Sequence, residues 1–248
     1  MKIIIKKQLF IYLLILFFFS IFHLDIKSSV GNDSTISEWF INYTGGFTKR
    51  GIIGQISVFF SRLLLSDLKD IIFYFQSITI GVYYILIFNF LKNVRCDRIF
   101  LLAIFTPIFL LYPVAEIEVL SRKETFLYSF FLLYFFLKKD SYRNIYKIII
   151  LPLAILIWEP VVFFFPFWFI IDFLERNNKN FFESLLKSAV YYLPAILLAT
   201  YIALNPISDQ NHLQMVNFLK NTFNENCYMS CELLLTKSSI YDQFHAVI

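Results

Sequence analysis

The sequence predicts an all-α, polytopic membrane protein with about six or seven membrane segments, some short or broken. Three observations predict this. Hydrophobic residues make up 58% of the 248 residues and charged residues only 16%, against about 45–50% and about 25% in soluble domains. Phe alone occurs 32 times, more aromatic surface than a soluble core of this size can hide. Apolar runs of bilayer length alternate with short loops, and the basic residues concentrate in every second loop.

The first run, residues 9–24, follows Lys2, Lys6 and Lys7. A basic start and an apolar stretch also describe a signal peptide, but no small-x-small cleavage site follows, so the segment reads as an uncleaved anchor. A polar loop is expected over residues 25–70, with a helix beginning near Gly51. Residues 71–91 then match one bilayer crossing. Residues 99–114 form a shorter span with Pro107 and Pro113. Residues 125–137 are short for a crossing, and the expected helix draws in the residues from Val119 onward. With the basic N-terminus in the cytoplasm, the loops at 92–98 and 138–147 fall inside. Both are rich in Lys and Arg, as the positive-inside rule requires.

The run at 148–174 is long for one helix and is interrupted by Trp158-Glu159-Pro160. It is either one kinked span or two short helices meeting at that break. The broken reading is preferred. It puts the connector at 175–187 inside and Glu159 on the same outer side as the other charged motifs. Residues 188–204 form the last span of a helical domain covering residues 1–204, and 205–248 form a polar tail. In the tail, Leu213, Val216, Leu219 and Phe223 share one helical face. The apolar ending at Ile248 suggests that further spans follow in a longer chain.

The net charge of +4 is spread over short loops, which excludes a nucleic-acid-binding patch. Membrane lipids are the expected partners. The three cysteines and three histidines show no ligand spacing, so no structural zinc site is expected; the sequence specifies no particular cofactor. Cys227 and Cys231 form a local disulfide if the tail is outside.

Four constellations can carry chemistry. Gly45, Gly46, Lys49 and Arg50 precede a helix start, a pattern suited to a phosphate or pyrophosphate headgroup; a solvated glycine turn is the plain alternative. Glu116, Glu118, Arg122, Lys123 and Glu124 crowd one loop, with Glu118 and Arg122 spaced to share a helix face. They offer a carboxylate base or metal ligand with Arg122 or Lys123 binding an anion, or form a self-neutralising interfacial cluster. Glu159 lies deep in apolar sequence, where an ionisable group signals function or a structural ion pair with Arg50, Arg122 or Lys123. Asp33 and Glu38 sit in the first outer loop, either as a base or a divalent-metal pair, or as solvated charge.

The order of these motifs runs from the anchor through Trp39, Asn42, Tyr43, Gly45-Gly46 and Lys49-Arg50-Gly51 to Arg122-Lys123-Glu124 and Glu159. It resembles bacterial multi-spanning proteins similar to EpsG-type and Wzy-type polysaccharide polymerases and to the glycosyltransferase-C superfamily. The resemblance covers about residues 1–204. It implies a bacterial inner-membrane transferase acting on polyprenyl-phosphate-linked sugars at the outer face. Asp33 or Glu38 would be the first-loop acid, Glu159 or Glu38 the base, and Lys49, Arg50, Arg122 and Lys123 the groups holding the lipid phosphate. A transporter or flippase of anionic substrates and a non-catalytic membrane subunit are the competing expectations.

Overall fold

A computed structural model describes residues 2–30, 34–92, 112–115, 119–175 and 181–235. All regular secondary structure among them is helical. Helix α1 is Lys2–Val30, α2 Ser34–Phe40, α3 Gly51–Leu64 and α4 Leu68–Leu91. Three helices are long and apolar enough to cross a membrane: the Lys6–Ser29 part of α1, α4, and the later helix Phe181–Leu204.

α1 and α4 pack antiparallel. The Phe10 ring meets Phe88 and Phe17 meets Tyr84, while Ser20 Oγ lies 3.0 Å from Tyr84 Oη. The start of the chain therefore stands at one end of the bundle, and the α2–α3 region at the other, which we call the site end. Helix α5, Glu124–Phe136, runs parallel to α4. Tyr83 meets Tyr128, Phe90 meets Phe135, and Gln76 reaches Ser121. Lys92 and Ser121 thus stand at opposite ends of the bundle.

The segment after α5 is the broken one. α6, Asp140–Ile145, passes through a π-helical turn at Tyr146–Ile150 into α7, Leu151–Ile157. Trp158 is extended, and a 3-10 turn at Glu159–Phe164 then leads into α8, Phe165–Glu175. Pro160 has no N–H to offer, which suits it to the first turn of such a helix start, where that N–H would be unpaired anyway. α7 climbs to the site end and α8 descends again, because Asp172 of α8 bonds Lys147 and Arg143 near the start of the hairpin. α9, Phe181–Leu204, climbs once more: its Ser188 meets Lys147 and its Tyr201 packs on Phe47. The two-helix arrangement, with Glu159 at the site end, is the one adopted.

Three details differ from the sequence reading. Residues 25–70 are mostly helical rather than a loop, since α1 continues to Val30 and α2 and α3 follow. α3 buries Gly51, Gly54, Ser57 and Ser61 against the protein while exposing Phe59, Leu63 and Leu64. Its small residues let it approach closely: a methyl at Gly54 would strike the carbonyls of Trp39 and Ile41. The residues from Val119 do not extend α5. They form a turn, with Ser121 at φ 67°, held by Trp39 Nε1 donating to the Ser121 carbonyl at 2.8 Å. The connector before the last span is also shorter than expected, because α9 already begins at Phe181.

The described part of the tail, residues 205–235, packs on the preceding helices. α10, Asp209–Phe223, is capped by Ser208, whose Oγ accepts from the Asn211 N–H at 3.2 Å. It lies across the site end, where Met215, Leu219, Cys231 and Leu234 join a core with Ile36, Trp39, Leu68 and Ile72. Its buried face is His212, Met215 and Leu219, while Leu213 is exposed. The apolar stripe is therefore rotated from the expected one.

Candidate functional site

Residues far apart in sequence meet at the site end. Arg50 occupies a left-handed conformation, φ 63°, just before α3. That conformation is costly for a residue with a side chain, and it is held by two contacts. Lys123 Nζ donates to the Arg50 carbonyl at 2.7 Å, and the guanidinium is fixed by carboxylates. Arg50 Nε and Nη2 each donate to Glu159 at 2.8 Å, a two-pronged pair, while Nη1 donates to Glu38 Oε1 at 3.1 Å. The planar fork of arginine suits this arrangement in a way that lysine would not. Lys49 lies 3.8 Å from the same Glu159 carboxylate.

The break at Trp158–Glu159–Pro160 delivers Glu159 to this point. Glu38 is delivered by α2, which is buried along almost its whole length. Arg122 pairs with Glu124 at 3.2 Å across the turn before α5; because the turn replaces a helix there, Arg122 does not use a helix-face spacing. Asp33, Glu116 and Glu118 lie outside the described residues.

Electrostatics follow from the geometry. Burial pushes Glu159 up, but the Arg50 hydrogen bonds and charge, with Lys49, outweigh it and hold the carboxyl below its ordinary range. Burial lowers Arg50, yet Glu159, Glu38 and Glu124 outweigh it and the guanidinium stays charged. Lys123 is fully buried. Burial brings its amine down to about 8, helped by the Arg50 charge and opposed by Glu38, Glu159 and Glu124.

Gly45 and Gly46 serve a close approach. A side chain at Gly45 would collide with the Asn211 carbonyl of α10, and Gly46, at φ 113°, faces the Asn211 side chain. Around the cluster, buried polar atoms have no hydrogen-bond partner among the described residues: Thr48 Oγ1, Gln76 Oε1, Ser121 Oγ, Thr125 Oγ1 and Glu124 Oε2. Buried polar atoms are normally satisfied, so these leave capacity for a polar group at the site end. Among the described residues, no three His, Cys, Asp or Glu side chains converge as a metal site.

A second charged cluster was not singled out from the sequence. At the far end, Asp172 accepts from Tyr134 at 2.6 Å and Arg143 at 3.1 Å and is bonded by Lys147. Its signal was Asp172 itself, a carboxylate in an apolar run, which demands partners.

Comparison of the chain with models of known families, with curated proteins and with solved structures gives no match.

Proposed function

We propose that the chain is a multi-pass protein of the bacterial inner membrane, with its N-terminus cytoplasmic and the site end facing outward, and that it transfers sugar from a polyprenyl-phosphate donor in surface-polysaccharide assembly. In this reading the segments are α1, α4, the sequence-predicted span at residues 99–114, of which 99–111 lie outside the described residues, α5, α6–α7, α8 and α9. α3 lies in the interface with its apolar face toward lipid.

The observation that carries the proposal is the Arg50–Glu159 pair, made across 109 residues of sequence at a helix break. Cations and a carboxylate at a membrane margin suit a phosphorylated lipid. The acceptor oxygen attacks the anomeric carbon as the bond from that carbon to the phosphate oxygen breaks. Arg50 and the half-exposed Lys49 offset the charge gathering on the departing lipid phosphate. Glu159, gripped by Arg50, is a poor base at rest. An arriving phosphate competes for the guanidinium, which raises the proton affinity of the released carboxylate. Glu159, or Glu38 beside it, then takes the acceptor proton.

The test is a profile of lipid-linked glycans and surface polysaccharide in a deletion strain complemented with wild type or with Glu159→Gln. Loss of a glycan on deletion, restored by wild type and not by Glu159→Gln, is expected. An unchanged profile on deletion would remove sugar transfer. Full rescue by Glu159→Gln would leave the cluster as a structural lock in a non-catalytic subunit.

A further inference from the structure

The two strands of chain that deliver Glu38 and Arg50 are both braced by the same C-terminal segment. On the α2 side, Ser230 Oγ donates to the Ser34 carbonyl at 2.6 Å, and Cys227 Sγ lies 3.6 Å from the Ser37 carbonyl. Cys231 is fully buried among Ile36, Trp39 and Leu234. On the Arg50 side, Asn211 fills the space beside Gly45 and Gly46, five and four residues before Arg50 in the chain. Further ties come from Lys69 to Glu225 at 3.0 Å and from the Arg62 guanidinium over the Phe218 ring. The segment is closed on itself by a disulfide between Cys227 and Cys231 and by His212 Nε2, 3.0 Å from the Cys231 carbonyl. One face of the segment thus sits on both limbs of the site.

We propose that residues 205–235 form a disulfide-stapled cap that positions α2 and the 43–50 turn, and that reducing the staple loosens the segment bearing Arg50. The staple forms when the two thiols pass two electrons and two protons to a thiol–disulfide oxidant, whose own disulfide becomes a dithiol. A dithiol reductant reverses this. Because disulfides persist only in oxidising compartments, the proposal also puts the cap, and the charged cluster beneath it, on the non-cytoplasmic side. It does not depend on what reaction the cluster performs.

The test uses the full chain in a Cys96→Ser background, so that two thiols remain. In membranes quenched with acid, a maleimide-polyethylene glycol should shift the protein only after dithiothreitol treatment. Labelling of both thiols without reductant overturns the staple. The purified chain in detergent is then treated with trypsin, well below its unfolding temperature, and cleavage after Lys49 and Arg50 is followed by mass spectrometry. A staple closing so short a loop predicts that reduction speeds this cut by about tenfold. A Cys227→Ala/Cys231→Ala chain should be cut at the fast rate with or without reductant. If reduction leaves the rate at Arg50 unchanged in the wild-type pair, or accelerates it equally in the double-alanine chain, the positioning role is overturned.

Discussion

The broken hairpin carries a charged cluster at each end, and the two differ chiefly in access. At the far end Asp172, Arg143 and Lys147 are sealed, with side-chain exposures of 3%, 2% and 1%. At the site end Arg50 and Glu159 keep 22% and 23%, and Lys49 keeps 37%. Similar chemistry therefore does different work. The sealed cluster ties α5, α6, α8 and α9 together and can exchange nothing with its surroundings. The open one holds the same kinds of group where a ligand can compete for them. A buried ion pair is weak evidence for net stability, but removing one partner is severe, because the other is stranded.

The largest effect should follow from breaking the sealed cluster. Asp172→Asn leaves Arg143 and Lys147 without their shared carboxylate and should cost about 3–5 kcal/mol, read as loss of monodisperse protein or a collapse of Tm in detergent. A tolerant Asp172→Asn chain would erase the contrast. Next, Gly45→Ala forces α10 off the site end and should cost about 1–3 kcal/mol, with faster proteolysis before Arg50. A silent substitution would mean that α10 does not sit against that turn.

The smaller effect concerns Lys123. Its folded-state value, about 8, is below the ordinary 10.5. Between these values the unfolded chain binds more protons than the folded one, so the Lys123 contribution to stability rises with pH across this window and is flat below it. The Tm difference between wild type and Lys123→Met should therefore shift in favour of wild type from pH 8 to pH 10. A difference that is constant with pH would place the amine in contact with water.

Much of this arrangement was legible in the sequence, for definite reasons. Glu159 between Trp158 and Pro160 announces a break, because proline cannot continue a helix inward and a carboxylate cannot rest in lipid. The spans at α4 and α9 follow from unbroken apolar length. What the sequence could not give was pairing across distance. Nothing local joins Arg50 to Glu159, or Asp172 to Lys147. The Gly45-Gly46 pair reads as a phosphate cradle or as a solvated glycine turn, and only the position of Asn211 shows that a distant helix lies against it. The start of α3 near Gly51 was legible but not its extent, because its apolar face points outward and its buried face is glycine and serine with Val58, nearly the inverse of a soluble amphipathic pattern.

The site end depends on Arg50 and Glu159 being partners across the break. A double-mutant cycle of Arg50→Met and Glu159→Gln, read as thermal stability in detergent at neutral pH, measures that partnership. A coupling of at least about 1.5 kcal/mol is expected. Because Glu159 is held below its ordinary value, that coupling should be present above the unfolded carboxylate range and fade as pH falls through the folded value. Single-mutant effects that add to within about 0.5 kcal/mol would contradict it.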